Sequence, residues 1–446
     1  MSVTLLTALL LQVTAMLLLR HRLGKLWLRR PVTMLVLAAV VYQGLSAVLQ
    51  TFPSVRAWDA SLIGIQQGFI NEAALVLSAG MLALVAAYLL TRPERSMAAA
   101  GEDGIRAVAR VLDWRLLAAA CTPLAILTYR GQGYNSGTAM GAGAPLATDF
   151  ADMFFILLVA LTAYGFVLRN GRQWFLPTLI SQSLLLAAAG ERTPVIIDAV
   201  VLIVLLAQSG LRPSAWQLRT AAALTVVAVL AITGERAAQG RDLFHADSGL
   251  ATRAEALGGG ISHARSGQAG PGLIAQAGAR LDGNSFAGGI LQSVSLGQPR
   301  LSPVYIPESL LIDVPSVIWP SKLAHSAIMN PPLMEMDYFG LRQINFLPGF
   351  SGFYAGFLSP AWLVLFLALL GALCGIGERR LFARFTPARL VLLASALIAV
   401  LGYEQGLPSM LANFRSGIVL AVVVKLAEVV LSRRARKSLN KPAPAH

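Results

Sequence analysis

Apolar runs of membrane-spanning length follow one another along most of this chain, with short polar stretches between them. About eleven such runs fall near residues 2–19, 32–50, 69–90, 115–130, 150–168, 173–189, 194–209, 217–233, 357–376, 388–402 and 408–431. A helix needs ~20 apolar residues to cross the ~30 Å hydrocarbon core of a bilayer. The shorter runs reach that length only by extending into flanking polar residues. The pattern predicts an all-α polytopic membrane protein, a single integral membrane domain over 1–446. One segment, 234–356, breaks the rhythm and reads as a large loop.

Charge gives the loops a side. Basic residues gather between alternate runs, as in HRLGKLWLRR (21–30), ERRLFAR (378–384) and SRRARK (432–437). The intervening short loops hold only Arg56, Arg130, Arg192 and Arg415. By the positive-inside bias, the N-terminus lies outside, the C-terminus in the cytoplasm, and the 234–356 loop on the extracytoplasmic face. The same bias accounts for the net charge of +14 without nucleic acid as a partner. The first basic cluster follows the first apolar run rather than preceding it, which fits an uncleaved helix better than a signal peptide.

Composition agrees. The chain is 56% hydrophobic and only 13% charged, against about 25% charged in ordinary soluble domains. Its two cysteines, Cys121 and Cys374, sit inside apolar runs, so no disulfide framework is expected. The five histidines have no metal-ligand spacing. No P-loop, dinucleotide fingerprint, Ser–His–Asp signature or zinc motif occurs, so nothing points to a metal or cofactor.

The large loop changes character along its length. GGGISHARSGQAGPG (258–272) is polar and Gly-rich, whereas LSPVYIPESLLIDVPSVIWPSK (301–322) mixes apolar and Pro-containing pieces. The latter predicts short helices packed on the outer face and partly re-entrant. A second outer loop, GQGYNSGTAMGAGAP (131–145), reads as flexible and polar.

Charges near membrane depth are costly and therefore functional candidates. Arg192, in GERTP, and Arg415, in ANFRSG, each fall at the expected start of an inward-running helix. Unpaired backbone N–H groups and the guanidinium fork would together favour an anion there. The plainer alternative is that each arginine snorkels to the interface or pairs with Glu191 or Glu404. Arg280, in ARLDGN, joins them as an anion candidate, or pairs locally with Asp282. His325, Glu335 and Asp337 are acid–base candidates in the loop, with Glu308 and Asp313 as alternatives; each could equally be a solvated loop residue.

Several segments resemble a known family. DVPSVIWPSK (313–322) is similar to the Pro-x-x-apolar-Trp-Pro-x-Lys segment of bacterial oligosaccharide repeat-unit polymerases, the O-antigen and exopolysaccharide polymerase group. NFLPGFSGFYAGFLSPAWLVL (345–365) resembles that family's passage from the large outer loop into the next span. GERTPVIIDAVVL (190–202) resembles its Gly-x-Arg turn. The resemblance covers roughly residues 150–430. It departs at Ser316, where members often carry Arg, and at FYAGFLSP, where they often have an Asn-Phe-Gly step.

The resemblance implies a GT-C-like fold: about eleven transmembrane helices and one large extracytoplasmic loop containing short helices. It implies a metal-independent glycosyltransferase at the outer face of the bacterial inner membrane. The donor and acceptor would be undecaprenyl-pyrophosphate-linked glycans, with membrane lipid and a chain-length regulator as further partners. Arg192, Arg280 and Arg415 would bind pyrophosphate, and His325, Glu335 or Asp337 would take the hydroxyl proton. The related O-antigen ligases, which transfer the same donor to another acceptor, are the nearest alternative. A lipid-linked oligosaccharide flippase is an alternative of a different class.

Overall fold

A computed structural model describes residues 2–50, 64–91, 146–188, 192–208, 213–239, 283–311, 349–381, 386–403 and 417–426, with 211, 255, 259, 314, 319, 338–341, 410–411, 414–415 and 429. The run at 115–130, the loop at 131–145, and nearly all of 258–272 and 313–322 lie outside the described residues.

All regular structure among the described residues is helical. In chain order the main helices are α1 (Val3–Leu23), α2 (Pro31–Ala39), α3 (Gln67–Leu90), α4 (Leu146–Asn170), α5 (Phe175–Ala188), α6 (Arg192–Gln208), α7 (Ala215–Gln239), α8 (Gly283–Ser295), α9 (Pro360–Leu381), α10 (Pro387–Leu401) and α11 (Gly417–Leu426). A π-helical turn, Val40–Leu45, carries α2 on into a short helix, Ser46–Leu49. Four stretches are long and apolar enough to cross a membrane: Val3–Leu23, Pro31–Val48, Gln67–Leu90 and Pro360–Arg380. Shorter apolar helices include Leu157–Asn170, Pro387–Leu401 and Gly417–Leu426.

Local chemistry fixes several boundaries. The Ser2 hydroxyl accepts from the Leu5 N–H at 3.2 Å and caps α1, which stops at Gly24, where φ is 59°. Pro31 and Pro387 occupy first-turn positions, where a missing N–H costs nothing. Thr386 caps α10 by accepting from the Arg389 N–H at 3.3 Å.

The central helix is α3, with α1 and α9 lying along it in the same direction. Gln12 on α1 donates to Ser78 on α3 at 2.9 Å, near the middle of both. Gly80, Leu84 and Tyr88 of α3 meet Leu367, Gly371 and Gly375 of α9 in step. Gly371 and Gly375 make a small-xxx-small seam. A Cβ on Gly371 would run into the Leu84 carbonyl oxygen, so the two backbones touch. The opposite faces of α1 and α9 expose Leu6, Leu10, Val13 and Leu17, and Leu365, Leu369 and Leu373. Stripes of this kind suit hydrocarbon rather than water.

α2 runs against these three helices and is buried nearly all round. Val32, Leu35, Val36 and Ala39 enter one core with α1, α3 and α9. Met34 enters a second core with α4, α5, α6 and α10. α2 therefore joins the two halves of the bundle.

The basic last turns of α1 (Arg20, His21, Arg22) and α9 (Arg379, Arg380) lie at one end. There the buried Arg30 pairs with Glu378 of α9 at 3.4 Å. Tyr88 donates its hydroxyl to the same carboxylate at 2.6 Å, and the Val32 N–H at the start of α2 donates to its other oxygen at 3.5 Å. One carboxylate thus ties α2, α3 and α9 together and caps α2 from outside.

Candidate functional site

At the end opposite the basic turns, the segment after residue 282 enters the bundle. Gly283 through Leu291 of α8 are all buried. Small residues permit this. A Cβ on Gly288 would lie 2.9 Å from the backbone of Ile70 on α3, and one on Gly283 would lie 3.0 Å from the Tyr42 carbonyl oxygen. Phe286, Ala287 and Ile290 complete the contact by joining the α1–α3–α9 core. Asn284 reaches the level of Gln43, five residues before the end of the span at Val48, or roughly 8 Å deep at ~1.5 Å per residue. This segment packs into the end of the helix bundle.

The depth has a chemical cause. The Gln43 carbonyl, which accepts from the Ser46 N–H at the end of the π-helical turn, also accepts from Asn284 Nδ2 at 2.8 Å, and the same Nδ2 donates to Ser46 Oγ at 3.0 Å. Gln43 Nε2 in turn donates to Tyr403 Oη at 2.7 Å and to Ser351 Oγ, while the two hydroxyls lie 2.6 Å apart. Tyr42 stacks on Tyr403 with ring centroids 5.6 Å apart. Gln50 donates to Ser285 Oγ at 3.4 Å. The network is uncharged, and it locks α8, the turn before α9 and the end of α10 onto α2. Two of its acceptors, Gln43 Oε1 and Asn284 Oδ1, meet no donor among the described residues.

Beyond this lock the chain lies over the end of the bundle. Gln292 Oε1 accepts from the Gln66 N–H at 2.7 Å, and Gln292 Nε2 donates to the Gly64 carbonyl at 3.2 Å. Ser293 and Gln298 donate to the carbonyls of Phe339 and Tyr338 at 3.0 and 3.1 Å. The Leu301 N–H donates to the Gly356 carbonyl at 2.9 Å. Arg300 Nη1 donates to the Leu358 carbonyl at 2.7 Å and to the Ala355 carbonyl, which fixes the half-buried guanidinium beside the start of α9. Burial pushes its pKa down, while the carboxylate of Glu72, exposed on the second turn of α3, pulls it up. An arginine stays charged regardless. Tyr305 and Tyr338 present exposed rings on the same end segment.

The residues singled out from sequence fare unevenly. Helix α6 begins at Arg192, whose side chain lies outside the described residues. Arg415 is half-buried on a helical turn, and its neighbour Phe414 packs on the core that includes Tyr403 and Tyr354. Arg280, His325, Glu335 and Asp337 lie outside the described residues. Among the described residues, no group of His, Cys, Asp and Glu could hold a metal ion. Sequence reasoning passed over Gln43, Asn284, Ser351 and Arg300. The visible signal was a lone amide, Gln43, inside an apolar run; the other three have local contexts that any loop or helix end could supply.

No family model, curated protein or solved structure matches the chain.

Proposed function

We propose that the protein is a membrane glycosyltransferase that polymerises undecaprenyl-pyrophosphate-linked oligosaccharide repeat units at the outer face of a bacterial inner membrane. In this reading about eleven helices span the bilayer, and the basic turns of α1 and α9 face the cytoplasm. The α8 end is then extracytoplasmic. The observation that carries the reading is a large polar segment fastened by α8 into the end of the bundle away from its basic turns. That end is where a lipid-linked glycan would meet the protein, with its pyrophosphate at head-group depth.

The chemistry asks little of the protein beyond positioning. The lipid pyrophosphate is already an activated leaving group, so neither a nucleotide nor a metal is required. The acceptor hydroxyl oxygen forms a bond to the anomeric carbon. The bond from that carbon to the pyrophosphate oxygen breaks, and its electron pair leaves with the pyrophosphate. Arginines stabilise the departing charge, and a base takes the hydroxyl proton. Arg192, Arg280 and Arg415 are the proposed pyrophosphate ligands; His325, Glu335 or Asp337 is the proposed base.

The test is deletion of the gene in a polymer-forming strain. Accumulation of lipid-linked single repeats supports the polymerase. Accumulation of long lipid-linked chains indicates the ligase, and repeats trapped on the cytoplasmic leaflet indicate a flippase.

A further inference from the structure

Arg300 is the described outer-end arginine whose guanidinium geometry is most fully resolved. Both of its hydrogen bonds leave from Nη1, to the carbonyls of Ala355 and Leu358. The other edge of the guanidinium, Nε with Nη2, donates to nothing among the described residues. That edge is a two-donor fork matched to a phosphate, and pinning Nη1 removes most of the freedom such a side chain would otherwise lose on binding. Among the described residues no carboxylate closes onto Arg300, and the ion pair present is Arg30–Glu378. Arg300 is therefore a fixed cation with an open fork.

We propose that Arg300 binds the lipid-linked pyrophosphate through its Nε/Nη2 edge. This rests on the polymerase reading and adds one residue to it. The hydroxyl oxygen bonds to the anomeric carbon and its proton passes to the base of that reading. The pyrophosphate leaves with the electron pair of the broken bond and is held by Arg300. Tyr305 and Tyr338, exposed on the same segment, offer faces for the sugars.

The test uses the purified full-length protein in detergent and in proteoliposomes. Binding of farnesyl pyrophosphate is measured with inorganic pyrophosphate and phosphatidylglycerol as competitors, and chain extension with a lipid-pyrophosphate-linked oligosaccharide. Arg300→Lys keeps the charge and a carbonyl contact but loses the fork. It should melt like the parent yet bind farnesyl pyrophosphate about tenfold or more weakly. Inorganic pyrophosphate should compete, and phosphatidylglycerol should not. Full binding by the lysine variant would make Arg300 a structural tether and overturn the anion site. Competition by phosphatidylglycerol alone would also overturn it, as a general lipid contact. If the parent binds farnesyl pyrophosphate through Arg300 but extends no chain, the polymerase reading fails and the anion site stands.

Discussion

Replacing Glu378 with alanine should be among the most damaging single changes away from the α8 end of the bundle. The carboxylate accepts from Tyr88 Oη at 2.6 Å, from Arg30 Nη1 at 3.4 Å and from the Val32 N–H at 3.5 Å. Arg30 is only 2% exposed, so water cannot replace the lost partner without structural change. Removing one member of a buried ion pair costs about 3–5 kcal/mol. A stranded hydroxyl and helix-start N–H add about 1–3 kcal/mol. In a thermal unfolding assay on detergent-purified protein, Glu378→Ala should lower the apparent Tm by on the order of 5–10 °C. Glu378→Gln retains an acceptor for Tyr88 or Val32 and should fall between the two. The double change Arg30→Met with Glu378→Leu removes both charges and should recover most of the loss. An alanine variant melting within about 2 °C of the parent, or a double variant no better than the single, would refute the reasoning.

Gly371→Ala should destabilise by about 1–3 kcal/mol or more, because the new Cβ meets a backbone oxygen rather than a flexible side chain; the same melting assay checks it. Asn284→Ala removes the hydrogen bonds that Asn284 donates to the Gln43 carbonyl and the Ser46 hydroxyl and should loosen α8, which amide hydrogen exchange over 283–295 would register as lost protection. Tyr403→Phe removes one corner of the Gln43–Ser351–Tyr403 triangle and should cost about 1–2 kcal/mol. Arg415→Ala should abolish most polymer formation at normal membrane levels of protein; undiminished polymer would remove Arg415 from the site.

Hydropathy located most of the helices because a bilayer demands long apolar runs, and such runs are legible without tertiary information. Helices stand at the expected positions near 2–19, 69–90, 194–209, 357–376 and 388–402. The run at 32–50 also contains a helix, but its π-helical turn was invisible, since no residue in VVYQGL forces one. The role of α8 was equally hidden. Its sequence, GNSFAGGILQSVS, reads as an ordinary loop helix. Only the approach of Gly283 to Tyr42 and of Gly288 to Ile70 shows that the glycines let it enter the bundle. Glu378 lies at the end of an apolar run in the basic cluster ERRLFAR, where nothing local marks it for burial. Its burial depends on Arg30 and Tyr88, hundreds of residues away in sequence. Arg300 had no local signature either, because what distinguishes it is a pair of carbonyls at Ala355 and Leu358.

The most direct test of the proposed function is reconstitution of the purified protein alone in liposomes with an undecaprenyl-pyrophosphate-linked oligosaccharide, without nucleotide and with a metal chelator present. The account predicts a ladder of lipid-linked chains that grow by whole repeat units, with undecaprenyl pyrophosphate released once per addition. Folded, correctly inserted protein that consumes no donor, or that moves it across the bilayer without lengthening it, would contradict the account.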